Sequence, residues 1–319
     1  MLLKRSMRFY SCGNISKWKI DILQKKIVEK DVISPSQFNL MANTLNHPKY
    51  AYNNLPTKGT ILPPAWHLAY FPPRVPESEL SSDGYETDWS PPSPYIHRMW
   101  GGGELSWNKD NPLRVGQNVT MQSSIRDIQM RQGGRRGDSV FIWVDKQLHN
   151  EQGWSATESR CWVYVKEDQN KIDHPVVINT PPPPSSSLPT ASPDFIINLK
   201  PTPITLFRFS ALTFNSHLIH YDHIYSTTVE NQKGCLTHGP LSFTLMVNHL
   251  DQYLASVAND SSSSLRKSIT NFNYRCKSPL IVNDPITVMG KQTSTNEYKL
   301  WVLDHEGNIA VKGTALVEY

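Results

Sequence analysis

Three features of the 319-residue sequence predict an α+β fold in which one unit is built twice. A sequence pattern recurs between the front and back halves. The segments that follow the middle of each half are short and rich in β-branched and aromatic residues. A single long apolar stretch with helical spacing precedes the strand-like segments of the back half.

The repeat is visible in three places. Pro112-Leu-Arg-Val-Gly-Gln-Asn-Val-Thr-Met121 aligns with Pro279-Leu-Ile-Val-Asn-Asp-Pro-Ile-Thr-Val288. Phe141-Ile-Trp-Val-Asp-Lys resembles Lys299-Leu-Trp-Val-Leu-Asp304. Each half then passes through a glycine-containing turn, Glu151-Gln-Gly153 or His305-Glu-Gly307, into a last strand-like run, Cys161–Val165 or Thr314–Tyr319. These runs carry Val, Ile, Thr, Trp and Tyr between Gly, Asn and Asp, the composition of antiparallel hairpins.

The helical signal starts at Gly239-Pro240, where proline suits the first helical position. Phe243, Met246, Val247, Leu250, Leu254 and Val257 then recur at helical spacing to about Ala258. A shorter front-half counterpart is expected at Pro63-Pro64-Ala-Trp-His-Leu-Ala-Tyr-Phe71, with Trp66, Tyr70 and Phe71 packing inward before Pro72 and Pro73 end it. One apolar helix wrapped by a strongly curved antiparallel sheet is the hotdog architecture. Two such units pairing into a continuous sheet make a double hotdog, in which fusion replaces a homodimer.

Residues 179–203 are rich in Pro and Ser and carry little apolar surface, so they read as a linker. The expected organisation is an N-terminal hotdog unit over 35–170, a linker over 171–203 and a C-terminal unit over 204–319. The first twenty residues hold Lys4, Arg5, Arg8, Lys17 and Lys19, no acid and three serines, the composition of a mitochondrial transit peptide. Arg8-Phe9-Tyr10-Ser11 suggests cleavage after Tyr10, so residues 1–10 are expected to be a presequence directing the chain to the mitochondrial matrix. Without Lys4, Arg5 and Arg8, 29 of the 32 bases remain against 28 acids. The basic balance is then largely an address, and nucleic acid is not an expected partner.

No apolar run approaches the roughly 20 residues that cross a bilayer. The best stretch, 241–257, is interrupted by Asn248, His249, Asp251 and Gln252, so the chain is expected to be soluble. Cys12, Cys161, Cys235 and Cys276 are scattered without zinc-type or disulfide-framework spacing. No phosphate-cradling glycine loop or nucleophile elbow occurs either.

The most informative string is Phe207-Arg-Phe-Ser-Ala-Leu-Thr-Phe-Asn-Ser-His-Leu-Ile-His-Tyr-Asp222, followed by His238-Gly239-Pro240 at the head of the apolar helix. It resembles the hydratase 2 motif of the MaoC-like (R)-specific hydratases and dehydratases, in the branch of the fungal mitochondrial 3-hydroxyacyl-thioester dehydratases. Pro64-Ala-Trp-His67, Asp83-Gly84 and His97-Arg-Met-Trp-Gly-Gly-Gly-Glu104 look like the same branch, so the resemblance spans roughly 45–319. It implies a hydro-lyase that converts a (3R)-3-hydroxyacyl thioester to the trans-2-enoyl thioester in type II fatty acid synthesis, with neither metal nor redox cofactor. The acyl group would ride on the pantetheine of an acyl carrier protein or of coenzyme A.

The resemblance implies His220 as the acid/base, suited by its ordinary pKa of about 6.5 to proton transfer near neutrality. Asn215 stands where the family has aspartate. An amide cannot carry the proton, so a single histidine is expected to carry it while Asn215 holds the departing hydroxyl. Gly239 is expected to offer backbone N–H to the thioester oxygen, with Asp222 and His238 in support. Asp222 could equally cap the following turn. His217 is expected to be a solvated loop residue, and His67 and His97 to be structural or tunnel-lining. Arg131, Arg135 and Arg136 mark a hairpin tip, solubilising or able to dock a carrier's acids. Alternatives are an (R)-specific enoyl-CoA hydratase, a thioesterase of the same fold, or a non-catalytic acyl-binding scaffold. The chain is expected to work as a monomeric double hotdog or as a homodimer.

Overall fold

The computed structural model describes residues 15–134, 137–166, 192–260 and 266–319. The expected presequence, residues 171–191 of the expected linker, and Arg135 and Arg136 lie outside the described residues.

Ten strands form one antiparallel sheet. The front half contributes β1 (Lys26–Val32), β2 (Tyr95–Trp107), β3 (Asn118–Gly134), β4 (Gly137–Asn150) and β5 (Gly153–Lys166). The back half contributes β6 (Phe195–Leu199), β7 (Ser268–Cys276), β8 (Ile286–Ser294), β9 (Glu297–Leu303) and β10 (Ile309–Glu318). Their order is β1-β3-β4-β5-β2-β7-β10-β9-β8-β6. Exchanging each front strand for its back counterpart reads the same order from the other edge. The repeated motifs occupy matching places: Pro112–Met121 and Pro279–Val288 lead into β3 and β8, and Trp143 and Trp301 lie in β4 and β9. This is the double hotdog.

The two units join where β2 pairs with β7, from Gly102 opposite Arg275 to Ser106 opposite Asn271. Gly102 has φ +138°, and a Cβ there would fall 2.3 Å from the Tyr274 carbonyl oxygen. Across this seam Trp100 Nε1 donates to Tyr274 Oη at 2.9 Å.

The apolar stretch forms α4 (Gly239–Asp260). Leu241, Phe243, Met246, Val247 and Leu250 are fully buried on it, facing Val288, Leu300, Val302, Ala315 and Val317 of the back sheet. Helical spacing thus located the core face, except that Val257, near the helix's end, is exposed.

The front half departs from expectation. Pro63–Phe71 yields only a 3-10 turn, Trp66–Ala69, bounded by positive φ at Ala65 and Phe71. Prolines on both sides leave no room for a longer helix, and Pro cannot donate the next helical hydrogen bond. Trp66, Tyr70 and Phe71 are nevertheless buried. Helical cover comes instead from α2 (Pro35–Thr44), capped where Ser34 Oγ accepts the Gln37 N–H at 3.3 Å. A further helix, α1 (Ile15–Leu23), packs on β3 through Ile15, Trp18 and Ile22, so ordered structure begins well before residue 35.

The expected linker is also too long. Phe195-Ile-Ile-Asn-Leu199 is β6, which pairs with β8 and forms the sheet's edge. Its alternation was masked by the prolines around it. After it comes α3 (Pro203–Thr213), an element absent from the sequence expectation, started by a Thr202/Thr205 capping box with proline in the first turn. α2 and α3, which follow the equivalent strands β1 and β6, pack on each other.

Candidate active site

α3 ends at Phe214 in the left-handed conformation, φ +51°. The chain that follows carries Asn215, His217 and His220 back across the sheet seam. Front-half residues hold this loop. Asp83 O accepts the Leu218 N–H at 2.8 Å, and Ser216 Oγ donates to Gly84 O at 2.6 Å. Gly84 has φ +87°, and a Cβ there would sit 2.2 Å from the Ser216 carbonyl oxygen, so the approach requires glycine.

His220 lies in a 3-10 turn, Leu218–His220. Its Nδ1 is 2.8 Å from Leu236 O. A carbonyl can only accept, so Nδ1 carries the proton and Nε2 keeps its lone pair. Burial, reinforced by His217, pushes the His220 pKa down to about 3, so the ring rests neutral. It stacks on His238 with ring centroids 3.7 Å apart and planes inclined by 22°. His238 is fully buried, paired with Ser210 Oγ at 2.9 Å, and held neutral chiefly by burial.

Asn215 Oδ1 accepts the His217 N–H at 3.1 Å. That leaves the amide nitrogen as the end able to meet a ligand. Asn215, His217, His220, Gly239 and Pro240 line one groove, together with Trp100 and residues of the front sheet. Gly239 opens α4, whose first-turn N–H groups have no intrahelical acceptor and point the positive end of the helix at the groove.

One expectation changes. His217 is buried, not solvated: its ring packs against Tyr85, and its Nε2 is 3.3 Å from Asp83 Oδ2. Burial works against the Asp83 carboxylate, yet the nearby His217 ring and the hydrogen bond from Ser81 outweigh it and keep its pKa below the usual range. Of the two roles open to Asp222 the structure shows the turn, its Oδ1 accepting the Tyr225 N–H at 2.9 Å, while His220 Nδ1 is taken by Leu236 O. His97 lines the groove 3.7 Å from Glu230, and His67 is buried against Glu158 at 3.0 Å. Reasoning from sequence gave no role to Asp83, Ser210 or the Leu236 carbonyl. No local spacing marks them, since Asp83 belongs to the other half of the repeat.

Among the described residues no group of His, Cys, Asp and Glu could hold a metal ion, and no helix is long and apolar enough to cross a membrane.

Known proteins align with this arrangement. Mesaconyl-C(4)-CoA hydratase of Chloroflexus aurantiacus is 33% identical over 86% of this chain and 89% of its own length. The mitochondrial hydroxyacyl-thioester dehydratase type 2 of Schizosaccharomyces pombe is 27% identical over 88% of this chain and 93% of its own. A MaoC-like dehydratase structure from Phytophthora capsici shares the fold, with a TM-score of 0.65 at 15% identity, covering 96% of this chain and 99% of that one. The model of the family "hydroxyacyl-thioester dehydratase type 2" matches residues 65–282. That span runs unbroken from the front 3-10 turn through the Asn215–His220 loop and α4, and with these relatives it makes the chain a hydro-lyase that belongs to the hydroxyacyl-thioester dehydratase type 2 family.

Proposed function

We propose that the chain interconverts a (3R)-3-hydroxyacyl thioester and the trans-2-enoyl thioester with His220 as its one proton carrier. The observation that carries this reading is the His220 Nδ1 contact with Leu236 O, which leaves the Nε2 lone pair free on a ring that lines the groove. In the dehydrating direction Nε2 takes the proton from C2, and the C2–H electrons pass into the thioester carbonyl as an enolate. N–H groups of the first turn of α4, Gly239 foremost, stabilise that oxygen. The enolate then collapses to the C2–C3 double bond as the C3–O bond breaks. The leaving hydroxyl takes the proton from Nε2–H and departs as water, and His220 returns neutral.

A base of such low intrinsic basicity works because the enolate's negative charge, developing beside it, favours the imidazolium it becomes. Asn215, its carbonyl fixed by the His217 N–H, donates from its amide nitrogen to the C3 oxygen. His238 supports His220 from below by stacking while remaining uncharged, so it adds no competing cation.

The acyl group rides on pantetheine. The transit-peptide composition of the first twenty residues and the fission-yeast relative's name favour an acyl carrier protein as carrier, in type II fatty acid synthesis in the mitochondrial matrix. Hydration of a CoA thioester is the second reading, favoured by the name of the Chloroflexus relative.

The test is a spectrophotometric assay of short and medium 3-hydroxyacyl and 2-enoyl thioesters on carrier protein and on coenzyme A. His220→Ala is expected to lose about a thousandfold or more in kcat, within the range of general acid–base catalysis. Asn215→Ala is expected to lose less. A His220→Ala protein that turns over at the parent's rate refutes the mechanism. Thioester binding without turnover by the parent favours a scaffold.

A further inference from the structure

The front half of the groove carries charge that proton transfer does not use. Ser123 of β3, Lys146 of β4 and Glu158 of β5 are paired in register, and Arg160 follows two residues along β5 on the same face. The row next to them on that face is apolar, with Met121, Leu148 and Ala156 buried in the core. The fold does not require this charge, because the matching face of the back unit is buried hydrocarbon under α4.

The accounting within the row is uneven. Glu158 is 1% exposed, and both its oxygens are engaged: Arg160 donates from Nε and Nη2 at 2.8 Å each, and His67 Nε2 lies 3.0 Å from Oε2. Lys146 is 8% exposed, yet its ammonium reaches only Ser123 Oγ, at 3.2 Å, and among the described residues no carboxylate lies within ion-pair distance of it. Arg160 Nη1 likewise has no hydrogen-bond partner among them. The carboxylates of Glu29, Glu158 and Glu86 act on this ammonium only through space, so a buried cation with one hydrogen-bond acceptor is still costly to keep. Burial and the neighbouring Arg160 lower the Lys146 pKa to about 8, which still leaves it mostly protonated at neutral pH. Lys146, Ser123 and Arg160 line the same groove as His220 and Gly239.

We propose that Lys146, with Nη1 of Arg160, receives an anionic oxygen at the far end of the acyl group, so that the preferred substrate is a thioester whose acyl chain ends in a carboxylate rather than a methyl group. This rests on the dehydratase reading and narrows its substrate class. The carboxylate would complete the hydrogen bonding of Lys146 and Arg160 and place C2 and C3 between His220 and α4. A methyl end would add no acceptor for Lys146 or for Nη1 of Arg160.

The test uses the full chain and two 2-enoyl-CoA thioesters of equal length, one ending in methyl and one in carboxylate. The parent is expected to favour the carboxylate-ended thioester by about ten- to a hundredfold in kcat/KM, the size of a hydrogen bond to a charged group. Lys146→Met is expected to remove that preference by lowering kcat/KM for the carboxylate-ended thioester, and Lys146→Arg to restore part of it. Ser123→Ala, which alters the same subsite without removing a charge, is expected to weaken the preference slightly and guards against a misfolded Lys146 variant. A parent that turns over the methyl-ended thioester as well or better, or a Lys146→Met protein that treats both as the parent does, overturns the carboxylate subsite and leaves the dehydratase reading standing. Absence of turnover on either thioester, with binding seen by calorimetry, overturns the dehydratase reading itself.

Discussion

The two units share a strand order but not what they pack beneath the sheet. In the back unit α4 buries Leu241, Phe243, Met246, Val247 and Leu250 in the core. In the front unit a four-residue 3-10 turn stands where the counterpart helix was expected. The inner face of the front sheet carries the buried Ser123, Lys146 and Glu158 with Arg160, and Ser123, Lys146 and Arg160 line the groove that His220 also lines. Duplication gave the chain two equivalent sheets. Their helical cover differs: α4 is 22 residues long, whereas the front unit has the four-residue turn beside the ten-residue α2.

The sharpest way to break this comparison is to disturb the front unit's charge. Glu158→Gln removes the carboxylate between Arg160 and His67 and leaves the Arg160 guanidinium without its counter-charge. About 3 kcal/mol of stability is expected to be lost, measured by urea unfolding at neutral pH. The arginine at its side holds the Glu158 carboxyl far below its ordinary value of 4.5. A depressed folded-state pKa contributes stability that is present above the unfolded value and is lost as pH falls toward the folded one. The gap between parent and Glu158→Gln is therefore expected to be full above about pH 5 and to narrow progressively below about 4.5. A gap that does not change with pH would show that Glu158 is not an ion-pair partner.

Leu250→Ala tests the back unit, where hydrocarbon alone does the work. It is expected to cost about 3 kcal/mol, with no pH dependence over the same range. Thermal or urea unfolding of the two variants side by side separates an electrostatic interior from an apolar one.

A smaller effect is expected at the junction of the units. A Cβ on Gly239 would come within 2.7 Å of the Trp100 ring, so Gly239→Ala must move either the indole or the start of α4. A loss of about tenfold in kcat/KM is expected, roughly 1.4 kcal/mol, with a smaller change in unfolding midpoint. An equal loss in both would make Gly239 a packing residue only.

The smallest expected effect is on the pH profile. With the His220 pKa lowered to about 3, the neutral base persists far below the ordinary histidine range. The kcat/KM of the parent is expected to stay flat between about pH 8 and 5.5, without the acid limb near 6.5 that an unperturbed imidazole gives. A limb at 6.5 would mean that His220 is better solvated than its burial implies.

Much of this was legible before any coordinates. Recurrence of Pro112–Met121 at Pro279–Val288 and of Trp143 at Trp301 specified two units, because each repeat must bury the same face of the same strands. Helical spacing from Phe243 to Leu254 specified α4 and its buried side, since period alone decides which residues share a face. The Asn215–His220 string with His238-Gly239 named the loop that bears the acid/base candidate. Tertiary structure alone decided the rest. Whether Pro63–Phe71 would be a helix or a single turn depended on prolines acting against aromatic burial, a balance that packing settles. β6 lay hidden because five residues between prolines gain strand stability only from β8. His217 and Asp83, 134 positions apart, and the row from Ser123 to Arg160 became neighbours through strand pairing and chain return. Sequence carries periodicity and local preference; which charges share a dry groove is fixed by distances that only the folded chain creates.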